Sequence, residues 1–122
     1  MAQSYAELNK QVHKQMKKFA KESPDVMENF MNLHKTSGKD GALSSKTKEL
    51  IALAIGISEH CDGCIAFHVH DAIESGATHD EIVETIGVSI LMGGGPSVVY
   101  GCKALQALEE VEEKKEVTTE GC

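Results

Sequence analysis

Two cysteines three positions apart, Cys61-Asp62-Gly63-Cys64, are the residues of this chain best suited to chemistry. At helical spacing their sulfurs share a face and can join as a disulfide. The spacing places Cys61 in the first turn of a helix. Unpaired backbone N–H groups and the helix dipole there favour a thiolate. A thiolate attacks peroxides and disulfides, and a nearby second thiol resolves the product. The same pair is equally half of a zinc site. His68 follows Cys64 by four residues, one turn along the same face, where its imidazole can take the thiol proton. Glu49 enters on geometry. If two helices form a hairpin turning near Ser58-Glu59, Glu49 lies nine or ten residues before the turn and His68 nine or ten after it. Each arm rises about 1.5 Å per residue, so the two reach the same height. A carboxylate there would fix the tautomer of His68 and strengthen it as a base, as the third member of a catalytic triad does.

The elements that must hold these residues read as one helix after another. The first spans about Ser4 to Ala20, with Tyr5, Leu8, Val12 and Phe19 in one stripe and Met16 beside it. Ser23-Pro24 opens a second helix, with Ser at the N-cap. Its apolar face is Val26, Met27, Phe30 and Leu33, and 37–41 is a turn. A third helix starts near Ser44, breaks around Ile57 to His60, and is followed by a fourth from Cys61 to Ser75, stopped at Gly76. Thr78-His79-Asp80-Glu81 is a capping box for a fifth helix. Gly93-Gly94-Gly95 ends that helix, for close packing or a sharp bend. Pro96 opens a sixth helix running to about Lys115, and the tail to Cys122 is expected to fray. No segment alternates over a strand length. The fold class is all-α, with about six helices in one domain over 1–122 and the active site on a central antiparallel hairpin.

Composition narrows the function classes. The chain has 122 residues, 41% of them apolar and 4% aromatic, with no Trp. A chain of this length can bury roughly two-thirds of its unfolded surface, here under aliphatic side chains. The net charge of −7 argues against nucleic acid as a partner. Charge is uneven: Met1 to Ser23 carries five Lys against two acids, and Glu109 to Glu120 carries six acids against two Lys. These are two solvated helix faces, or else one end of the chain pairs with the other. Residues 85–102 are uncharged but hold five Gly and a Pro, which makes a poor membrane helix. No signal peptide is read at the start. A cytoplasmic protein without a membrane segment is expected. In that compartment a close Cys pair is redox-active or metal-binding rather than a structural staple.

The combined pattern resembles the carboxymuconolactone decarboxylase/alkyl hydroperoxidase D family. It comprises Lys46-Thr47-Lys48-Glu49-Leu50-Ile51-Ala52-Leu53-Ala54, then Cys61-Asp62-Gly63-Cys64-Ile65-Ala66-Phe67-His68. Gly76-Ala77, Glu81-Ile82 and the Gly-rich break also fit, and the resemblance covers roughly Leu43 to Leu108. It implies an all-helical protein that assembles as a trimer or hexamer, the hexamer being expected of a chain this short. It implies that the disulfide cycles while reducing peroxides, or while passing electrons from lipoyl groups to a peroxiredoxin, with a lipoyl or thioredoxin-like electron donor. Glu49 and His68 would then be the relay, Cys64 the peroxidatic thiol and Cys61 its resolving partner. The helix dipole favours Cys61 as the more acidic thiol, whereas the relay favours Cys64 as the attacker. No cofactor and no resident metal are expected.

One departure bears on activity. The hydroperoxidase has a His between its cysteines where this chain has Asp62-Gly63, and Asp62 disfavours a thiolate beside it. That counts against fast peroxide reduction more than against disulfide exchange. Two other readings stand beside the redox one. A lactone-acid lyase of the decarboxylase branch would not depend on the cysteines. A zinc or structural module could use Cys61, Cys64 and His68, but their spread over two turns makes tetrahedral coordination difficult. His60 and His70 flank the motif, His60 as a structural or solvated residue. His13, His34 and His79 have no evident partners. Cys102 reads as a core thiol and Cys122 as an exposed one.

Overall fold

The computed structural model describes residues 4–120, with side chains through Lys115. Six helices follow in order: α1 (Tyr5–Glu22), α2 (Pro24–Gly38), α3 (Ser45–Ser58), α4 (Asp62–Glu74), α5 (His79–Gly93) and α6 (Gly95–Glu120). No strand occurs among the described residues. α6 runs past Lys115 to Glu120, so most of the expected frayed tail is helical. Gly121 and Cys122 lie outside the described residues.

The core is aliphatic, as the scarcity of aromatics requires. Leu53 and Ile57 of α3, Ile65 and Val69 of α4, Ile82 of α5 and Leu108 of α6 are completely buried. α3 and α4 form the central antiparallel hairpin, with α5 and α6 packed on it and α1 laid across α4. Close approach of α5 and α6 needs Gly101: a Cβ there would come within 2.8 Å of Ile86 Cγ2. The bend between those helices falls at Gly94, whose φ is 66°. The capping box of α5 is complete, with Glu81 N–H donating to Thr78 Oγ1 at 3.1 Å and Thr78 N–H to Glu81 Oε1 at 2.8 Å. The Thr78 amide and Lys46 hold the Glu81 carboxyl below the usual range. Ser23, the expected N-cap of α2, makes no side-chain cap bond; Pro24 alone sets that helix start.

α6 meets the start of α1 through Glu110, which bonds amides and a hydroxyl rather than the lysines of that helix. Its carboxylate accepts from the Tyr5 and Ala6 amides at 3.1 and 3.0 Å and from Ser4 Oγ at 3.0 Å. It thus caps α1 from a helix more than a hundred residues away. Burial alone would raise the Glu110 carboxyl, but these donors and Gln106 bring it below the usual range. A carboxyl depressed in the folded state stabilises above its unfolded value of about 4.3 and ceases to as pH falls through the lower folded value. Glu110→Gln is therefore expected to cost about 1 kcal/mol at pH 7, the size of a lost cap. The difference from wild type should shrink as pH falls through the lowered folded value. Urea midpoints at pH 7 and along an acid series check this, and a difference that does not shrink would refute it.

Candidate functional site

The turn between α3 and α4 delivers the cysteines. His60 adopts φ 56°, a left-handed conformation rarely taken by residues other than glycine. Cys61 N–H reaches back to Gly56 O at 3.0 Å and His60 N–H to Ile57 O at 3.1 Å. This is a Schellman closure of α3, with His60 where glycine is usual. A non-glycine residue there costs about 1–2 kcal/mol. The His60 ring stacks on Tyr100 of α6, with centroids 4.5 Å apart, which offsets part of that cost. The break at Ile57 to His60 stands where the sequence placed it, but the left-handed conformation could not be read, since no glycine marks the position.

The closure leaves Cys61 as the N-cap of α4, one residue before the expected first turn. Cys61 and Cys64 are joined by a disulfide, with Cα atoms 5.2 Å apart. Cys64 N–H donates to Cys61 Sγ at 3.2 Å, so the helix start does present an amide to that sulfur. Behind Cys64 stands Gly56 of α3, where an added Cβ would approach Cys64 Cβ to 3.2 Å.

Across the hairpin, Glu49 Oε2 lies 2.8 Å from His68 Nδ1, at the common height expected from the equal arms. The two side chains are only 14% and 20% exposed, so water competes little for this contact. An ionised carboxylate can only accept. Nδ1 therefore carries the hydrogen, and Nε2 is left as the proton acceptor. Phe67 meets His68 edge-on at 5.0 Å and also gathers His13, stacked at 5.5 Å, and His34, edge-on at 5.7 Å. These two histidines thus have a partner that the sequence did not disclose. His79 also has one, Glu112 Oε2 at 2.8 Å, and His70 Nδ1 lies 3.1 Å from Asp71 Oδ1.

Asp62, read as a charge opposing the thiolates, is already engaged. It accepts from Tyr5 Oη at 3.0 Å and pairs with Lys103 Nζ at 3.3 Å. Lys103 also lies over the Tyr100 ring, 4.4 Å from its centroid. Burial, then the bond to Asp62, pushes the Tyr5 phenol well above its ordinary value, so it stays a donor. The lysine offsets the repulsion that Asp62 alone would exert. Cys102 departs from its expected place: it is exposed, not in the core. α6 buries Ser97, Gly101, Ala104 and Leu108, one stripe of an apolar run, and Cys102 falls beside it.

Comparison with known proteins places this arrangement. A model of the carboxymuconolactone decarboxylase family matches residues 24–107, which reaches back to include α2. An uncharacterised protein of Cupriavidus necator is 35% identical over 95 residues, 78% of this chain and 84% of that one. A carboxymuconolactone decarboxylase family protein of Legionella pneumophila shares the structure with a TM-score of 0.85 at 44% identity, over 88% of this chain and 96% of that one. A Thermotoga maritima family protein, suggested to take part in an antioxidative response, has a TM-score of 0.82 at 25% identity, over 90% and 94% of the two chains. With the fold in common and the family pattern running through the helices that carry the disulfide and the Glu49–His68 pair, the chain belongs to the carboxymuconolactone decarboxylase family.

Proposed function

We propose that the protein is a thiol–disulfide oxidoreductase that reduces hydroperoxides or disulfides through Cys61 and Cys64. The observation carrying this reading is a disulfide whose Cys64 lies one helical turn from an imidazole already held by a carboxylate. In the reduced protein, His68 Nε2 takes the Cys64 proton. The thiolate attacks one oxygen of the peroxide, the O–O bond breaks, and the alcohol leaves with the proton returned by His68. Cys64 is then a sulfenic acid. Cys61 displaces water from it and the disulfide forms. The sum is hydroperoxide plus dithiol giving alcohol, water and disulfide. An external dithiol, lipoyl or thioredoxin-like, returns the two electrons by exchange. The suggested antioxidative role of the Thermotoga relative supports this direction. Intact mass tests it: one equivalent of peroxide lowers the mass of the reduced protein by about 2 Da. An unchanged mass, or oxidation at Cys102 or Cys122 alone, would remove the redox reading and leave lactone-lyase chemistry in front.

The proposal includes self-association into a trimer or hexamer. α2 buries none of its residues, yet Phe30 is 52% and Leu33 64% exposed. Leu91 and Met92 at the end of α5 are each 79% exposed. Apolar area of this extent marks an interaction surface. Light scattering should return three or six times the chain mass; a monomer would overturn this part. No helix among the described residues is long and apolar enough to cross a membrane.

A further inference from the structure

Three metal-ligating side chains converge beside the relay from three different helices. His34 comes from α2, Glu49 from α3 and Asp71 from α4, and one ligand atom of each lies within 4.8 Å of the other two. All three are half-buried. A zinc-class ion holds imidazole nitrogen and carboxylate oxygen at about 2.0–2.2 Å, so its tetrahedral ligands sit roughly 3.4 Å apart. Side-chain movement of about an ångström closes the set around such an ion. One nitrogen and two carboxylates suit a borderline transition metal; magnesium and calcium take oxygen ligands.

The surroundings are those of a built site. Each carboxylate already carries an imidazole on one oxygen, Glu49 Oε2 on His68 and Asp71 Oδ1 on His70. A carboxylate has two oxygens, so each keeps one outside that contact. His34 is set edge-on against Phe67, which limits its ring rotation.

We infer that His34, Glu49 and Asp71 bind a divalent transition-metal ion of the zinc class, and that the ion draws Glu49 away from His68. An ion on Glu49 takes up the charge that holds His68 Nδ1–H, and the imidazole is no longer fixed with Nε2 as the free base. The binding half of this inference is independent of the proposed redox function; the regulatory consequence rests on it.

The test uses the full chain in its disulfide form, with the remaining thiols alkylated so that no cysteine can hold zinc. Equilibrium dialysis against Zn2+ should find one ion per chain. His34→Gln and Asp71→Asn should each weaken binding by more than about tenfold, the least that loss of even an outer partner costs. His79→Gln, whose imidazole pairs with Glu112, should bind as wild type does. Proton–nitrogen NMR of the same samples should show His68 changing its ring-nitrogen signals on loading. No binding, or binding that both variants retain, overturns the site. Binding that leaves His68 unmoved overturns the link to the relay. Failure of the redox reading would be seen separately, in the mass response of the reduced, metal-free protein.

Discussion

Cys64→Ser should abolish peroxide-driven disulfide formation and lower peroxide turnover by about 10⁴-fold or more, the range met when a covalent nucleophile is deleted. The two cysteines should fail differently. In Cys61→Ser the attacking sulfur remains without its resolving partner, so one equivalent of peroxide adds about 16 Da as a sulfenic acid. In Cys64→Ser no such adduct forms at a comparable rate. Mass spectra of both variants decide the order of events. An adduct on Cys61 in Cys64→Ser, formed as fast as wild type forms its disulfide, would reverse the assignment. It would show that the amide offered to Cys61 by Cys64 outweighs the base beside Cys64.

The second large effect concerns the pair that serves the thiols. His68→Gln should slow the peroxide step by about 10²–10⁴-fold, the usual contribution of a positioned general base. Glu49 acts through His68, so it is a positioning residue. Glu49→Gln should cost less than His68→Gln, and the double variant no more than His68→Gln alone. Two independent contributions would add instead. Helix content by circular dichroism, expected to match wild type in each variant, separates this from mere disruption of the hairpin. Full additivity would remove the relay.

Much of this architecture is legible in the sequence because its determinants are local. The capping box at Thr78 and Glu81, the stop at Gly76 and the stripe Leu50, Leu53, Ile57 lie within a few residues of the helices they define. Glu49 could be paired with His68 because a hairpin of equal arms converts sequence distance into height. Where the determinants are distant, the reading failed or was silent. Glu110 adds to the local Ser4 cap of α1 from over a hundred residues away, and Asp62 is met by Tyr5 and Lys103, residues 57 and 41 positions away. Cys102 misled because an apolar run looks buried on every side, whereas α6 buries a single stripe of it. His60 was unreadable for the opposite reason. Its conformation is held by Tyr100 of a remote helix and not by its own preference.

The contact between Gly56 and Cys64 gives the two sulfurs unequal freedom. Cys64 is backed by another helix so closely that a single methyl group on Gly56 would press on its Cβ at 3.2 Å. Cys61 sits at the end of α4, where the chain has just left the left-handed turn at His60. When the bond between them opens, the pair behaves as an anvil and an arm. Cys64 is the more firmly backed of the two, and Cys61 has only the short turn behind it. Under the proposed chemistry a bulky peroxide would meet the backed sulfur, and the slack to close the ring again would come from the turn that precedes the helix.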